Sequence, residues 1–99
     1  MKKREYDDII QGLALRKMSV DQTDSHGNTP LILACQLGSK KLVKLLLRFK
    51  ADPNIQNLKG DTSLHFCFKF EFFDLAEYLI AKANADDTIE NFDGYSCYD

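Results

Sequence analysis

The sequence predicts an all-α solenoid in which short antiparallel helix pairs, joined by β-hairpin-like loops, stack side by side. Three observations carry this. The segment from Asp24 to Leu47 recurs from Asn57 to Ile80 with a shift of 33 residues, so that Gly27, Thr29, Leu31, Leu42 and Leu46 fall on Gly60, Thr62, Leu64, Leu75 and Leu79. Each copy opens with a polar cluster around a glycine, then a helix-start residue and a short apolar run. A second run follows, with apolar residues at helical spacing and charges on the other face.

Taken in chain order, residues 1–23 read as the second half of a degenerate repeat, because Ile9, Ile10 and Leu13 fall one step of 33 before Leu42, Val43 and Leu46. Residues 24–56 form a full repeat. Its opening, Asp24-Ser25-His26-Gly27-Asn28, is turn chemistry that needs a residue free to take positive φ at Gly27. Thr29 reads as a helix N-cap and Pro30 as the first helical residue. The apolar helix that follows, Leu31 to Leu37, stops at Gly38. From Lys40 to Phe49, the residues Leu42, Leu45, Leu46 and Phe49 share one face, with Lys41, Lys44 and Arg48 opposite, as in an amphipathic helix antiparallel to the first.

Residues 57–90 form the second full repeat. Between Phe66 and Phe73 it carries a phenylalanine at almost every second position, which alone would predict a strand. The 33-residue register overrides that reading: Phe66 and Cys67 finish a first helix, Glu71 takes the turn position of Gly38, and Phe73 begins the second helix. Residues 91–99 open a further repeat, since Gly94, Ser96 and Tyr98 follow Asn91 with a shift of 34, one residue having been added near Ala83-Asn84. The chain stops at Asp99 just inside a helix, an ending expected of a fragment of a longer protein or of a truncated cap.

Ninety-nine residues, 44% of them hydrophobic, make one small domain spanning 1–99, near the lower limit for a single unaided core. The net charge of -2 argues against a general nucleic-acid binder. That total hides a division: residues 1–50 carry ten Lys/Arg against five Asp/Glu, and residues 51–99 carry three against ten. No apolar segment is long enough for a signal peptide or a membrane span, so no membrane partner is expected. Cys35, Cys67 and Cys97 form neither a disulfide framework nor a zinc pattern. Reduced thiols and a location in the cytoplasm, or else the nucleus, are expected.

The 33-residue period, Thr29-Pro30-Leu31 and Thr62-Ser63-Leu64-His65 at the helix starts, the Gly38 turn, Leu42-Val43-Lys44-Leu45-Leu46-Leu47 and Ala51-Asp52-Pro53-Asn54 together resemble the ankyrin repeat. The resemblance covers nearly the whole chain. It implies L-shaped repeats that bind proteins through hairpin tips and first helices. Carried onto this sequence, the implied binding residues are Ser25, His26 and Asn28, then Leu58, Lys59 and Asp61, then Phe92, Asp93 and Tyr95 at successive tips. The ends of the first helices add Gln36, Leu37, Lys69 and Phe70. Asp52-Pro53-Asn54 further resembles the hairpin context of asparagines hydroxylated in other ankyrin proteins, with Pro53 in place of the usual aliphatic residue.

Departures from the family pattern carry expectations of their own. Lys50 and Glu71 stand where the family places a left-handed glycine, at a cost of about 1 kcal/mol each if that conformation is kept. Ile32 replaces the usual histidine and removes a polar staple. Phe68 takes a slot normally given to alanine, so the second repeat must widen locally or turn the ring outward.

Each candidate site has a plainer reading. Thr62-x-x-His65 fits the family's staple between hydroxyl, imidazole and backbone better than a catalytic pair with Cys67, whose side chain points elsewhere on the same helix. Cys35 and Cys67 fall at packed positions, and Cys97, in the incomplete repeat, is expected to be more accessible. The cluster Lys40, Lys41, Lys44, Arg48 and Lys50 suits either an anionic ligand or a ladder of inter-repeat ion pairs; the preferred ladder sets Asp8, Lys41 and Asp74 in one row and Lys44 beside Glu77. Phe70, Phe92 and Tyr95 are either interface anchors or residues awaiting a neighbouring repeat.

The expected function is a protein-interaction module. The alternative is a spacer or regulatory segment packed against a larger multidomain enzyme or channel. No nucleophile-base set, metal spacing or phosphate loop is present, so no enzyme activity, cofactor or metal is expected, nor a small-molecule ligand.

Overall fold

The computed structural model describes residues 19–99. The half-repeat assigned to residues 1–23 therefore lies outside the described residues as far as residue 18, together with Asp8, Ile9, Ile10 and Leu13. Four helices follow in order: α1 (Pro30–Leu37), α2 (Lys40–Arg48), α3 (Ser63–Lys69) and α4 (Phe73–Ala83). There is no strand among the described residues. The first helices α1 and α3 pack side by side, and each packs against its own second helix. None of these helices is long and apolar enough to cross a membrane.

Local chemistry starts and stops the helices where the register requires. Thr29 Oγ1 accepts the Ile32 N–H at 3.1 Å, with Pro30 as the first helical residue. Gly38 ends α1 in the left-handed region, and Ser39 immediately starts α2 by accepting the Leu42 N–H at 3.2 Å. Glu71 takes the same conformation between α3 and α4, at φ 62°. The phenylalanine-rich segment is thus helix, turn and helix.

The core repeats with the sequence. Leu31 and Leu64, Leu42 and Leu75, Val43 and Ala76, and Leu46 and Leu79 are all buried, each pair 33 residues apart. Ile32 is fully buried, so the repeat that lacks the histidine staple gains a packed aliphatic chain instead. Phe68 turns outward, its ring 6.0 Å from Phe73 and 5.0 Å from Tyr98.

Two expectations are corrected. Cys97 is not accessible; it is 7% exposed, its Sγ 3.7 Å from the Asp87 carbonyl oxygen. Burial and the Asp87 charge push its thiol up to about 11. The ladder of ion pairs between α2 and α4 is not formed among the described residues. Lys40 and Lys44 instead hold their ammonium groups 5.2 and 5.5 Å from the Tyr78 ring centroid. Tyr78 stands where the first repeat has Leu45, so the substitution itself supplies the aromatic face. Cys35 and Cys67 are fully buried free thiols, as expected. The Cys35 thiol is pushed well above its ordinary value by its contact with Cys67 and by burial.

Candidate protein-binding surface

The edge of the stack is built from one loop design used three times. The N–H groups of Asp24, Asn57 and Asn91 donate to the carbonyls of Asn28, Asp61 and Tyr95 at 3.0, 2.9 and 2.8 Å, and the glycine three residues on donates back. Inside each loop the side-chain oxygen of that Asp or Asn accepts two backbone N–H groups, at 2.9 to 3.0 Å. Desolvation raises the Asp24 carboxyl, but the N–H groups of Asn28 and His26 outweigh it and hold the acid below its usual range.

These loops are tied to one another. Leu58 N–H donates to the His26 carbonyl and Phe92 N–H to the Lys59 carbonyl, both at 3.1 Å. Asn57 Nδ2 donates to Asn28 Oδ1 at 2.9 Å and Asn91 Nδ2 to Asp61 Oδ1 at 3.0 Å. At the foot of the loops a second row repeats the device, with Asp52 N–H on Asp21 Oδ1 at 3.0 Å and Asp86 N–H on Asn54 Oδ1 at 2.7 Å. The Asp86 carboxyl lies below its usual range because the Thr88 hydroxyl and then its N–H donate to it.

The thirteen residues expected to face a partner divide by their surroundings. Ser25, His26, Lys59, Lys69 and Asp93 are exposed, and Gln36 is half-buried. Leu58 and Phe92 project at 69% and 70% exposure, Tyr95 at 58%, Phe70 at 45% and Leu37 at 38%. Asn28 and Asp61 are half-buried, their oxygens taken by the next loop's asparagine, so they brace the tips. Lys59, Asp61, Lys69, Asp93 and Tyr95 share a groove of about 560 Å³ with Phe66, Phe68 and Tyr98. Phe70 lies 6.3 Å from Phe66 and 6.2 Å from Phe72, with Lys69 Nζ 5.8 Å from its ring.

The bracing residues Asn57 and Asn91 went unrecognised in the sequence, although a signal was there. Asp24, Asn57 and Asn91 each stand three residues before a glycine, the spacing of a side chain that caps its own turn. Among the described residues no cluster of His, Cys, Asp and Glu could hold a metal ion.

Comparison with known proteins agrees with this architecture. A family model described as "Ankyrin repeats (3 copies)" matches residues 2–91. The chain is 38% identical over 77 residues to the ankyrin repeat-containing protein P1E11.10 of Schizosaccharomyces pombe, covering 78% of this chain and 36% of that protein. It is 34% identical over 83 residues to the putative ankyrin repeat protein L92 of Acanthamoeba polyphaga mimivirus, covering 83% and 20%. Over 46 residues it is 44% identical to human ankyrin repeat domain-containing protein 13C, covering 46% and 8%. The chain belongs to the ankyrin repeat family. Ankyrin repeats generally mediate protein–protein interaction, and proteins built from them are typically not enzymes. The chain spans about a third of P1E11.10 and less of the other two relatives.

Proposed function

We propose that this chain is a protein-interaction module that presents its hairpin tips and first helices as a rigid surface. The observation that carries the reading is the bracing of the tips: two backbone bonds and two asparagine struts hold Leu58 and Phe92 outward at about 70% exposure. Apolar side chains held in place before binding lose little entropy on contact, which is how a small surface gains affinity. The partner is another protein, not a nucleic acid or a membrane, in keeping with the acidic balance. The buried free thiols suit a reducing compartment, the cytoplasm or nucleus.

The test is retention of a partner from source-cell lysate by the wild-type chain and by a Leu58→Ser/Phe92→Ser variant. A protein held by the first and lost by the second is the expected result, with affinity falling about 30-fold or more for a hot-spot pair. Equal retention by both sinks the assignment of the tips. The small share of the relatives' length that the chain covers favours a second reading, an ankyrin segment packed against a larger enzyme or channel. Retention of the parent polypeptide alone selects it.

A further inference from the structure

Neither the tips nor the helix caps use the thiols of Cys35 and Cys67. Both are free, and they belong to different repeats: Cys35 lies near the end of α1 and Cys67 near the end of α3. Small side chains meet where these two helices pack. Cys35 contacts both Cys67 and Ser63 of α3, and all three are fully buried. Small residues let two helices approach closely, and a disulfide between helices needs that closeness, with Cα atoms within about 7 Å. Cys97 faces elsewhere, its Sγ 3.7 Å from the Asp87 carbonyl oxygen.

Ser63 adds an independent observation. Its Oγ is a buried side-chain oxygen with no hydrogen-bond partner. A buried hydroxyl without a partner costs stability, so its position beside Cys35 asks for a reason. A Cys35 thiolate supplies the missing acceptor, and the hydroxyl favours that thiolate. In the closed stack the thiolate is scarce, because contact with Cys67 and burial both hold the Cys35 proton in place.

We propose that Cys35 and Cys67 are a redox pair whose disulfide latches the first full repeat to the second, formed by exchange with a small disulfide of the oxidised-glutathione class. The α1–α3 interface opens transiently, and one cysteine loses its proton to water and attacks a sulfur of the small disulfide. One small thiolate leaves and takes a proton from water, while a mixed disulfide remains on the chain. As the helices close, the second cysteine loses its proton, attacks the chain's own sulfur and expels the other small thiol. Two protein thiols are thereby oxidised to one disulfide, and one small disulfide is reduced to two thiols. Closure brings the second sulfur to contact, which favours the internal bond over a lasting mixed disulfide. Excess small thiol reverses the same steps, so the pair stays reduced in a reducing compartment.

The loop that this bond closes contains α2 and the second tip with Leu58. Crosslinking it removes entropy from the opened chain, so the oxidised stack is the harder one to part. The latch is independent of what the tips bind.

The test incubates the whole chain with oxidised glutathione, alkylates the remaining thiols and maps the unreduced tryptic digest by mass spectrometry. Trypsin puts each cysteine on its own peptide, 18–40, 60–69 and 83–99, so the pairing is read on the unaltered chain and no cysteine variant has to fold. One disulfide joining peptides 18–40 and 60–69, with Cys97 alkylated, is the expected result. The oxidised chain is expected to melt at least about 10 °C above the reduced chain, and excess dithiothreitol to restore the lower midpoint. Formation is expected to run at least about tenfold faster in urea just below the unfolding transition, since opening of the interface limits it.

A bond from Cys67 to Cys97, disulfides between chains, or glutathione that stays on the chain overturns the proposal. So do three alkylated thiols after incubation in urea. A midpoint that oxidation leaves unchanged or lowers overturns it too, because the bond would then not latch the stack.

Discussion

His65 joins two repeats through a single ring. Its Nδ1 accepts the Thr62 N–H at 3.0 Å, which leaves the proton on Nε2, and Nε2 donates to the Tyr95 carbonyl at 2.9 Å. The Thr62 hydroxyl stands 2.9 Å from the same Nδ1. An imidazole beside a cysteine, suggestive of catalysis, is thus fully occupied in holding the third loop to α3.

Replacing His65 by Ala breaks these bonds and leaves partly buried polar groups unpaired. The expected loss is about 2–3 kcal/mol, read from urea unfolding followed by circular dichroism. His26→Ala is the control. That side chain is exposed and makes one long contact, 3.5 Å from its neighbour Ser25, so its loss is expected within about 0.5 kcal/mol. Equal effects would refute the bridging role.

Lys50 and Glu71 close α2 and α3 in the left-handed conformation, at φ 67° and 62°. Each position is set by bonds back into its helix: Lys50 and Ala51 donate to Leu47 and Leu46 at 3.0 and 3.1 Å, and Glu71 and Phe72 donate to Phe68 and Cys67 at 3.2 and 2.7 Å. The conformation strains any residue with a Cβ, although glycine gives back part of the gain through unfolded-state entropy. Lys50→Gly and Glu71→Gly are each expected to stabilise the chain by about 0.5–1 kcal/mol. Thermal unfolding checks this, at about 4–8 °C per kcal/mol for a domain of this size. A fall in midpoint for either variant would show that the exposed charge matters more than the strain.

Backbone positions were legible in the sequence because turn and cap chemistry is local. Gly38, Thr29, Pro30 and the unusual Lys50 and Glu71 each stand where a 33-residue register puts them, and backbone geometry follows register. The His65 staple was legible for the same reason, its partner Thr62 lying three residues away. Long side chains were not. The register put Lys44 one step of 33 before Glu77, but a lysine chooses among neighbours within reach of its flexible stem, and it chose the ring of Tyr78. Cys97 departs from the expectation drawn from its incomplete repeat, although its register equivalents Pro30 and Ser63 are both buried and it joins the same core, its Sγ 3.7 Å from the Asp87 carbonyl oxygen. The Tyr98 contact with Phe68 was hidden similarly: two departures from pattern, one for a small residue and one for leucine, meet across the groove and satisfy each other.

Tyr98 carries a pH signature. The Asp87 carboxylate accepts its hydrogen bond and repels the phenolate, pushing the phenol up to about 12. The neutral phenol is the form that the fold favours, so the stabilisation is complete below the ordinary tyrosine value near 10 and is lost as pH rises through about 12. Absorbance titration of tyrosinate is expected to show a late step near pH 12 that disappears in Tyr98→Phe. In Asp87→Asn that step is expected to move down toward about 10. A late step that persists unmoved in Asp87→Asn would assign the shift to something other than the carboxylate.

Gly60 and Gly94 offer a matched pair for measuring how firmly the tips are held. Both glycines sit at nearly the same left-handed φ, 83° and 84°, so an added methyl group meets the same backbone strain at each. Their surroundings differ. A Cβ on Gly60 would come within 2.5 Å of the Phe92 amide nitrogen and 2.6 Å of its ring, whereas one on Gly94 meets nothing within 4 Å. Gly94→Ala is therefore expected to cost only the strain, about 1 kcal/mol. Gly60→Ala adds a clash with backbone that cannot be relieved by a rotamer change, and it must loosen the bond from Phe92 N–H to the Lys59 carbonyl. Its cost is expected to exceed that of Gly94→Ala by about 1–3 kcal/mol in urea unfolding. Amide hydrogen exchange locates the damage: the Phe92 amide is expected to lose protection in Gly60→Ala and to keep it in Gly94→Ala. Equal costs with the Phe92 amide unprotected already in the unaltered chain would mean that the second and third tips move independently, and the rigid display that the binding reading depends on would fall with the brace.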